Sequence, residues 1–300
     1  MLKKFLLPYA YLFRSALRTG TSGLYVWCAF TGMIAASKAF PPIFVAIESL
    51  IAMLAIALAV YAYNDILDIK LDKISAEIGQ SHYINRPLVT GEASKLEAKI
   101  FVLAQTLVGL SIGFFINLQF LFLLVLYLAL GITYSTPPIH FKQRFLLKQL
   151  VISTGFAIST LAGGAAVGAV GSIHLIYVAA LFFAITFGFL PLTDLRDIYG
   201  DEKMGRKTFP IVLGPKATIK ISFATTVALL LVSVLSYSWL GFNFAFLILM
   251  FAICLALSLS IFKVSKNLNN SNFIENMLNR VLQPIFLALQ VSILIGLVPL

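Results

Sequence analysis

The feature that most constrains this chain is a succession of long apolar stretches. Nine of them run at about 21–38, 43–63, 97–116, 119–136, 147–170, 173–193, 217–237, 240–262 and 279–298. An α-helix needs roughly 20 apolar residues to cross the hydrocarbon core of a bilayer. Nine such spans use about 180 residues and leave about 120 for connections. The stretches are apolar all round, whereas a transmembrane β-barrel alternates. Composition agrees: 60% of the 300 residues are hydrophobic and 11% charged, against about 45–50% and about 25% in soluble domains. A soluble enzyme, a disordered chain and a disulfide scaffold are excluded. The two cysteines, Cys28 and Cys254, sit inside apolar stretches and carry no redox information. The expected fold class is all-α: a polytopic membrane protein with about nine transmembrane helices.

The connections are of two kinds. Tight ones lie near Lys38–Pro42, Asn117–Gln119, Gly171–His174 and Ser238–Asn243; long polar ones cover 64–96, 137–148, 194–216 and 263–278. Every Lys and Arg except Lys38, and every Asp and Glu except Glu48, belongs to the N-terminus or lies in or beside a long connection. With an odd number of spans these places share one side. The positive-inside rule makes that side cytoplasmic, with the C-terminus opposite. The same rule accounts for the net charge of +10. No basic run is interleaved with aromatics, so nucleic acid is not an expected partner, and nothing points to a protein partner. The opening 18 residues lack a small-residue cleavage site and read as an interfacial lead-in helix rather than a removed signal. No charge falls at a bilayer midplane, which argues against an ion pathway.

Two of the long connections repeat a pattern. After the second span comes Asn64-Asp65-Ile-Leu-Asp68-Ile-Lys-Leu-Asp72, and after the sixth Asp194-Leu-Arg196-Asp197-Ile-Tyr-Gly-Asp201. Both contain D-x-x-D-I-x-x-D. Both lead to a basic residue and a Pro-aliphatic-Val-x-Gly run, Pro87–Gly91 and Pro210–Gly214. The whole chain reads as one domain, 1–300, with two similar parts at about 1–140 and 141–300. On a helix, Asn64, Asp68 and Asp72 share a face, as do Asp197 and Asp201 with Asp194 beside them; Asp65 points away. Like charges at i,i+4 destabilise a helix by a few tenths of a kcal/mol, so two acidic faces need a reason. Mg²⁺ supplies one, because it takes hard oxygen ligands and completes its shell with phosphate and water. A solvated acidic loop explains one such pattern but not two in matching places.

Arg86, Lys142, Arg144, Lys203, Arg206 and Lys207 are candidates to grip a diphosphate, Arg bidentately and Lys as a point charge. Arg86 leads because Pro87 restricts its direction. Lys148 and Lys216 read as helix-end anchors. Tyr134, in Tyr-Ser-Thr-Pro-Pro, is either a substrate-binding candidate or part of an interfacial belt. His82 and His140 are candidate bases; the three histidines, including His174, show no metal-binding spacing. P-loop, G-x-S-x-G, C-x-x-C and H-E-x-x-H motifs are absent.

The two acidic motifs, with the N-R-P-L-x-x-G turn at Asn85–Gly91 and the run Gly205-Arg-Lys-Thr-Phe-Pro210, resemble the UbiA family of membrane prenyltransferases, over nearly the whole chain. The resemblance implies a nine-helix bundle around a central cavity, with caps from the loops after spans two and six on the cytoplasmic side. It implies Mg²⁺-dependent transfer of a prenyl chain from a prenyl diphosphate to a hydrophobic or aromatic acceptor in the bilayer. Asn64, Asp68 and Asp72 would then serve one Mg²⁺, and Asp194, Asp197 and Asp201 the other. Arg86 and Lys203 or Arg206 would contact diphosphate. Two departures bear on the acceptor. Arg18-Thr-Gly-Thr-Ser stands where several branches carry Arg followed closely by Asn, and the segment Asp72–Arg86 is long and lacks the Arg-Thr pair of the hydroxybenzoate and haem branches. The second motif looks more like the archaeal ether-lipid, tocopherol or chlorophyll branches, so the acceptor stays open between a geranylgeranylglyceryl phosphate-type lipid and a quinone precursor. Two competing readings rank lower. A CDP-alcohol-type phosphotransferase needs an Asp-Gly-x-x-Ala-Arg string that is absent, and a divalent-cation transporter needs charges at the midplane.

Overall fold

The computed structural model describes residues 2–17, 21–77, 84–203 and 205–297; Arg18 and His82 lie outside them. The helices are α1 (Leu2–Leu17), α2 (Thr21–Ser37), α3 (Ile43–Glu77), α4 (Pro87–Thr90), α5 (Lys95–Ile116), α6 (Leu118–Ser135), α7 (Leu147–Ala166), α8 (Ile173–Phe189), α9 (Pro191–Lys203), α10 (Phe209–Leu213), α11 (Pro215–Leu240), α12 (Phe244–Lys266), α13 (Ser271–Met277) and α14 (Gln283–Leu297). No strand occurs among the described residues. Eight helical segments are long and apolar enough to cross a bilayer; the ninth expected span forms the shorter apolar helix α2.

Helices α2 and α7 form the centre. Their backbones nearly touch: a Cβ built on Gly163 would lie 1.8 Å from the Ala29 carbonyl oxygen, and one on Gly32 2.0 Å from that of Thr160. Close approach through small residues is how helices associate where apolar burial distinguishes lipid poorly from protein. Ser159 donates to the Tyr25 carbonyl across the same crossing. The core around it holds Tyr25, Met33, Ile56, Phe156, Phe182 and Phe246. Burial of 67% in α7 but 17% in α5 puts α5 on the rim. Exposed Phe114, Phe115, Phe122, Trp239, Phe251 and Phe262 make a lipid-facing belt.

Three features position the site. First, α3 is 35 residues long, about 52 Å against a hydrocarbon core of about 30 Å. Its last turns, carrying Asn64 to Asp72, therefore leave the apolar slab. Second, Pro191 interrupts the helix after α8, since it has no N–H to donate and its ring crowds the carbonyl one turn back; α9 restarts with the second acidic motif. Third, the two Pro-aliphatic-Val-x-Gly runs form the short helices α4 and α10, each with Pro in the first turn. Gly91 (φ +82°) and Gly214 (φ +84°) end them in backbone that other residues rarely adopt. At the opposite end, Asn117 and Asn243 cap α6 and α12 and also donate to the Ala165 and Ile295 carbonyls, closing tight turns. Helix α1 lies across α3, α4 and α5, burying Leu12 and Ala16 against Leu58, Ile66 and Phe101.

Candidate active site

The acidic residues of both motifs are brought to one end of the bundle, and most are buried: Asp65, Asp68, Asp72, Asp194 and Asp201. A buried carboxylate survives only with a partner, and each has one. Lys142 Nζ lies 2.6 Å from Asp68. Arg86 bridges Asp65, at 3.0 Å, and Asp72. Lys148 Nζ lies 2.6 Å from Asp194 Oδ1, and Gln149 Nε2 donates to its other oxygen at 3.2 Å. Arg206 holds Asp201 at 3.0 Å, and Arg196 makes a two-pronged contact with Asp197. Asn64 donates to Ser135 at the end of α6, beside Tyr134. Tyr134 precedes Ser135 in the last turn of α6, at the same end of the bundle.

The segment between α6 and α7 completes the cluster. Phe141–Gln143 is a single 3₁₀ turn that buries Lys142. The Lys207 N–H donates to the Gln143 carbonyl, tying the connection after α9 to this turn. Burial draws the Lys142 ammonium below the ordinary lysine range, with Asp68 pulling the other way. His140 stands beside it with left-handed backbone (φ 47°), and burial followed by the Lys142 charge holds its imidazole below its usual value.

Several expectations are revised. Lys148 is no helix-end anchor; its position in the first turn of α7 faces the restart of α8 as α9, which delivers Asp194 to it. Asp65 points towards Arg86, because the chain after α3 returns through α4 and brings that guanidinium to its side. Lys203 is exposed and rests over the Tyr199 ring at 4.4 Å. Arg144 donates to the Pro138 carbonyl and braces the turn. His174 is structural at the far end, its Nε2 donating to the Leu240 carbonyl at 2.8 Å. Sequence reasoning alone does not single out Gln149 or Arg196; a glutamine opening an apolar span is the available signal.

Next to this cluster lies a cavity of about 1140 Å³. Arg86 and Arg196 stand in its wall, and its inner side is apolar, with Phe156, Ile185, Phe286 and Leu289. Phe286 packs edge-on against Phe156 and tilted against Phe182. Leu278–Leu282, a π-helical turn ahead of Pro284, contributes Leu278, Asn279 and Leu282 to the wall. Pro284 has no N–H for the Arg280 carbonyl, which accounts for the widened turn.

Among the described residues no three carboxylate, imidazole or thiol side chains converge as a ready-made metal cage. Mg²⁺ is usually bound through one or two carboxylates with substrate phosphates and water rather than by an all-protein cage. The donors present are hard oxygens, which is the matching chemistry.

The comparisons with known proteins agree with this geometry. A digeranylgeranylglyceryl phosphate synthase of Thermococcus sibiricus is 32% identical over 173 residues, covering 57% of each chain; the chain spans only about half the length of the curated relatives it matches. Among solved structures, a UbiA homolog from Aeropyrum pernix K1 superposes with TM-score 0.72 at 21% identity, covering 92% of this chain and 96% of that one. A UbiA homolog from Archaeoglobus fulgidus bound to DMAPP and Mg²⁺ gives 0.71 at 19% identity, over 95% and 97%. Residues 25–279 match the UbiA prenyltransferase family, so the chain belongs to that family and is an integral membrane protein.

Proposed function

We propose that this chain transfers a prenyl group from a prenyl diphosphate to an acceptor lipid in the membrane and releases diphosphate. One observation carries the reading: two acidic helices, α3 and α9, whose carboxylates are held by cations, lie beside a cavity that Arg86 and Arg196 line and whose inner wall is apolar. The favoured acceptor is a glycerol-phosphate prenyl ether rather than a quinone precursor, because the relatives that match are named for that product. The cations crowd the site end of the bundle, which supports a site opening to the cytoplasmic face, with the N-terminus inside and the C-terminus opposite.

Asn64, Asp68 and Asp72 on α3, and Asp194, Asp197 and Asp201 on α9, would hold Mg²⁺. Bound there, the metal supplies positive charge against that developing on the departing diphosphate. Arg86, Lys142, Lys148 and Arg206, held in place by the carboxylates, offer their remaining N–H donors to phosphate oxygens, and Tyr134 adds a hydroxyl from the end of α6. These groups are preorganised, so stabilising the leaving group needs little rearrangement. The C1–O bond breaks with its electron pair going to diphosphate. Phe156, Ile185, Phe286 and Leu289 keep water from the allylic cation, and the π-faces of the two Phe rings favour its charge. The acceptor oxygen then bonds to C1 and passes its proton to the released diphosphate.

The test is transfer of labelled geranylgeranyl diphosphate by purified protein into a pool of glycerol-phosphate ethers, quinone precursors and chlorin alcohols. A labelled ether that disappears with EDTA and in Asp68→Asn supports the proposal. Metal-independent transfer, or normal turnover by a folded Asp68→Asn, refutes it.

A further inference from the structure

Gln149 belongs to neither acidic motif, yet it is joined to one of them. Lys148 and Gln149 are consecutive in the first turn of α7 and meet Asp194 at different oxygens. Lys148 Nζ donates to Oδ1 at 2.6 Å and Gln149 Nε2 to Oδ2 at 3.2 Å. The two contacts differ in kind. An ammonium is a compact charge with rotatable donors. It neutralises the carboxylate and sets a distance, but leaves the carboxyl free to turn about Cβ–Cγ, a broad torsion in aspartate. A second donor on the other oxygen removes that freedom. The polarity of the amide is fixed as well, because an ionised carboxylate only accepts. Gln149 is 1% exposed, and its Oε1 is buried without a hydrogen-bond partner among the described residues. A buried carbonyl oxygen left unpaired is destabilising, so stability alone does not account for a glutamine at this position.

Resting on the prenyl-transfer reading above, we infer that Gln149 is a positioning residue for Mg²⁺: its amide fixes the plane of the Asp194 carboxylate. Each carboxylate oxygen has two lone-pair directions. Lys148 takes one on Oδ1 and Gln149 one on Oδ2, which leaves one on each oxygen for the metal. Partners of this kind hold a ligating carboxylate in the orientation the metal needs. Lys148 then balances the charge of Asp194, and Gln149 sets its direction. Without the amide, Asp194 keeps its charge partner but turns among several orientations, and Mg²⁺ must select one of them. The loss therefore falls on metal affinity and not on the chemistry of the loaded site.

The experiment is a pair of Mg²⁺ titrations on purified protein. One follows transfer of labelled geranylgeranyl diphosphate to geranylgeranylglyceryl phosphate at saturating substrates. The other follows thermal unfolding with excess inorganic diphosphate, and needs no turnover. Gln149→Met is close in volume but has no donor; Gln149→Asn keeps an amide one methylene short of Asp194. Both should raise both Mg²⁺ midpoints by roughly 10–100-fold, while saturating Mg²⁺ restores most of kcat. Asp194→Asn, which removes a ligand, should not be restored. Ser153→Ala lies one turn deeper on the same face of α7 and removes a buried hydroxyl that has no hydrogen-bond partner; it should keep the wild-type midpoints. A folded Gln149→Met or Gln149→Asn with wild-type midpoints overturns the inference. A lower kcat at unchanged midpoints also overturns it, and would make Gln149 a substrate contact. An equal shift in Ser153→Ala does the same, and would make the effect one of general packing. Wild type that transfers nothing, or transfers without Mg²⁺, overturns the prenyl-transfer reading instead, and the thermal titration still reports on Gln149.

Discussion

Lys148 and Asp194 offer the sharpest test of why charge is buried at this end of the bundle. Their side chains are 15% and 5% exposed and their nearest atoms 2.6 Å apart. At an effective dielectric of about 20 the attraction is about 6 kcal/mol, and the desolvation of two ions costs several kcal/mol each. The pair thus contributes little net stability, whereas removing one partner strands the other. Lys148→Met leaves Asp194 with Gln149 alone and should cost about 3–5 kcal/mol. At roughly 2–4 °C per kcal/mol, thermal unfolding in neutral micelles should fall by roughly 6 °C or more. Lys148→Met combined with Asp194→Leu removes both charges and should melt well above the single variant, within a few degrees of wild type. It should nonetheless turn over no substrate, because the cluster has lost an oxygen donor and a phosphate contact. A Lys148→Met protein melting with wild type would show that the pair is solvated. A double variant less stable than the single would refute the energetic argument, and one with normal turnover would remove Asp194 from the site.

Other outcomes follow from the same geometry. Asp197, with its side chain 20% exposed, tolerates loss of charge better than its buried neighbours; Asp197→Asn should melt within a few degrees of wild type while losing about 10²-fold or more in kcat, measured by prenyl transfer. Gly163→Ala pushes a methyl to 1.8 Å from the Ala29 carbonyl oxygen. The central helices must separate by about an ångström, at a cost at or above the usual 1–3 kcal/mol of overpacking, and a melting point equal to wild type would contradict that crossing. Lys203→Ala, which removes an exposed ammonium resting on the Tyr199 ring, should change kcat/KM by less than about two-fold, whereas Arg206→Ala strands buried Asp201 and should abolish transfer and lower stability. Equal effects of these two substitutions would place the diphosphate elsewhere.

Much of the fold is legible in the chain because the interactions that dominate it are local. An apolar stretch of 20 residues in hydrocarbon has only helix available to satisfy its backbone, and the positions of the helices follow. The two D-x-x-D-I-x-x-D runs place acidic faces on helical turns, and the Pro-aliphatic-Val-x-Gly runs end in the left-handed glycines Gly91 and Gly214 because those requirements also lie within a few residues. Which charges meet is settled by three-dimensional packing instead. Lys142 is 74 residues from Asp68 and Lys148 is 46 from Asp194; sequence spacing carries no record of such distances, and a lysine in the first turn of a membrane helix has the same local signature whether it anchors to headgroups or neutralises a buried aspartate. The choice was made by the backbone contact of Gly32 and Gly163 at the α2–α7 crossing, by Pro191 restarting the helix as α9, and by α1 lying over α3. Burial then required each carboxylate to take the cation that packing had placed beside it, and the apolar helices left a cavity against that cluster.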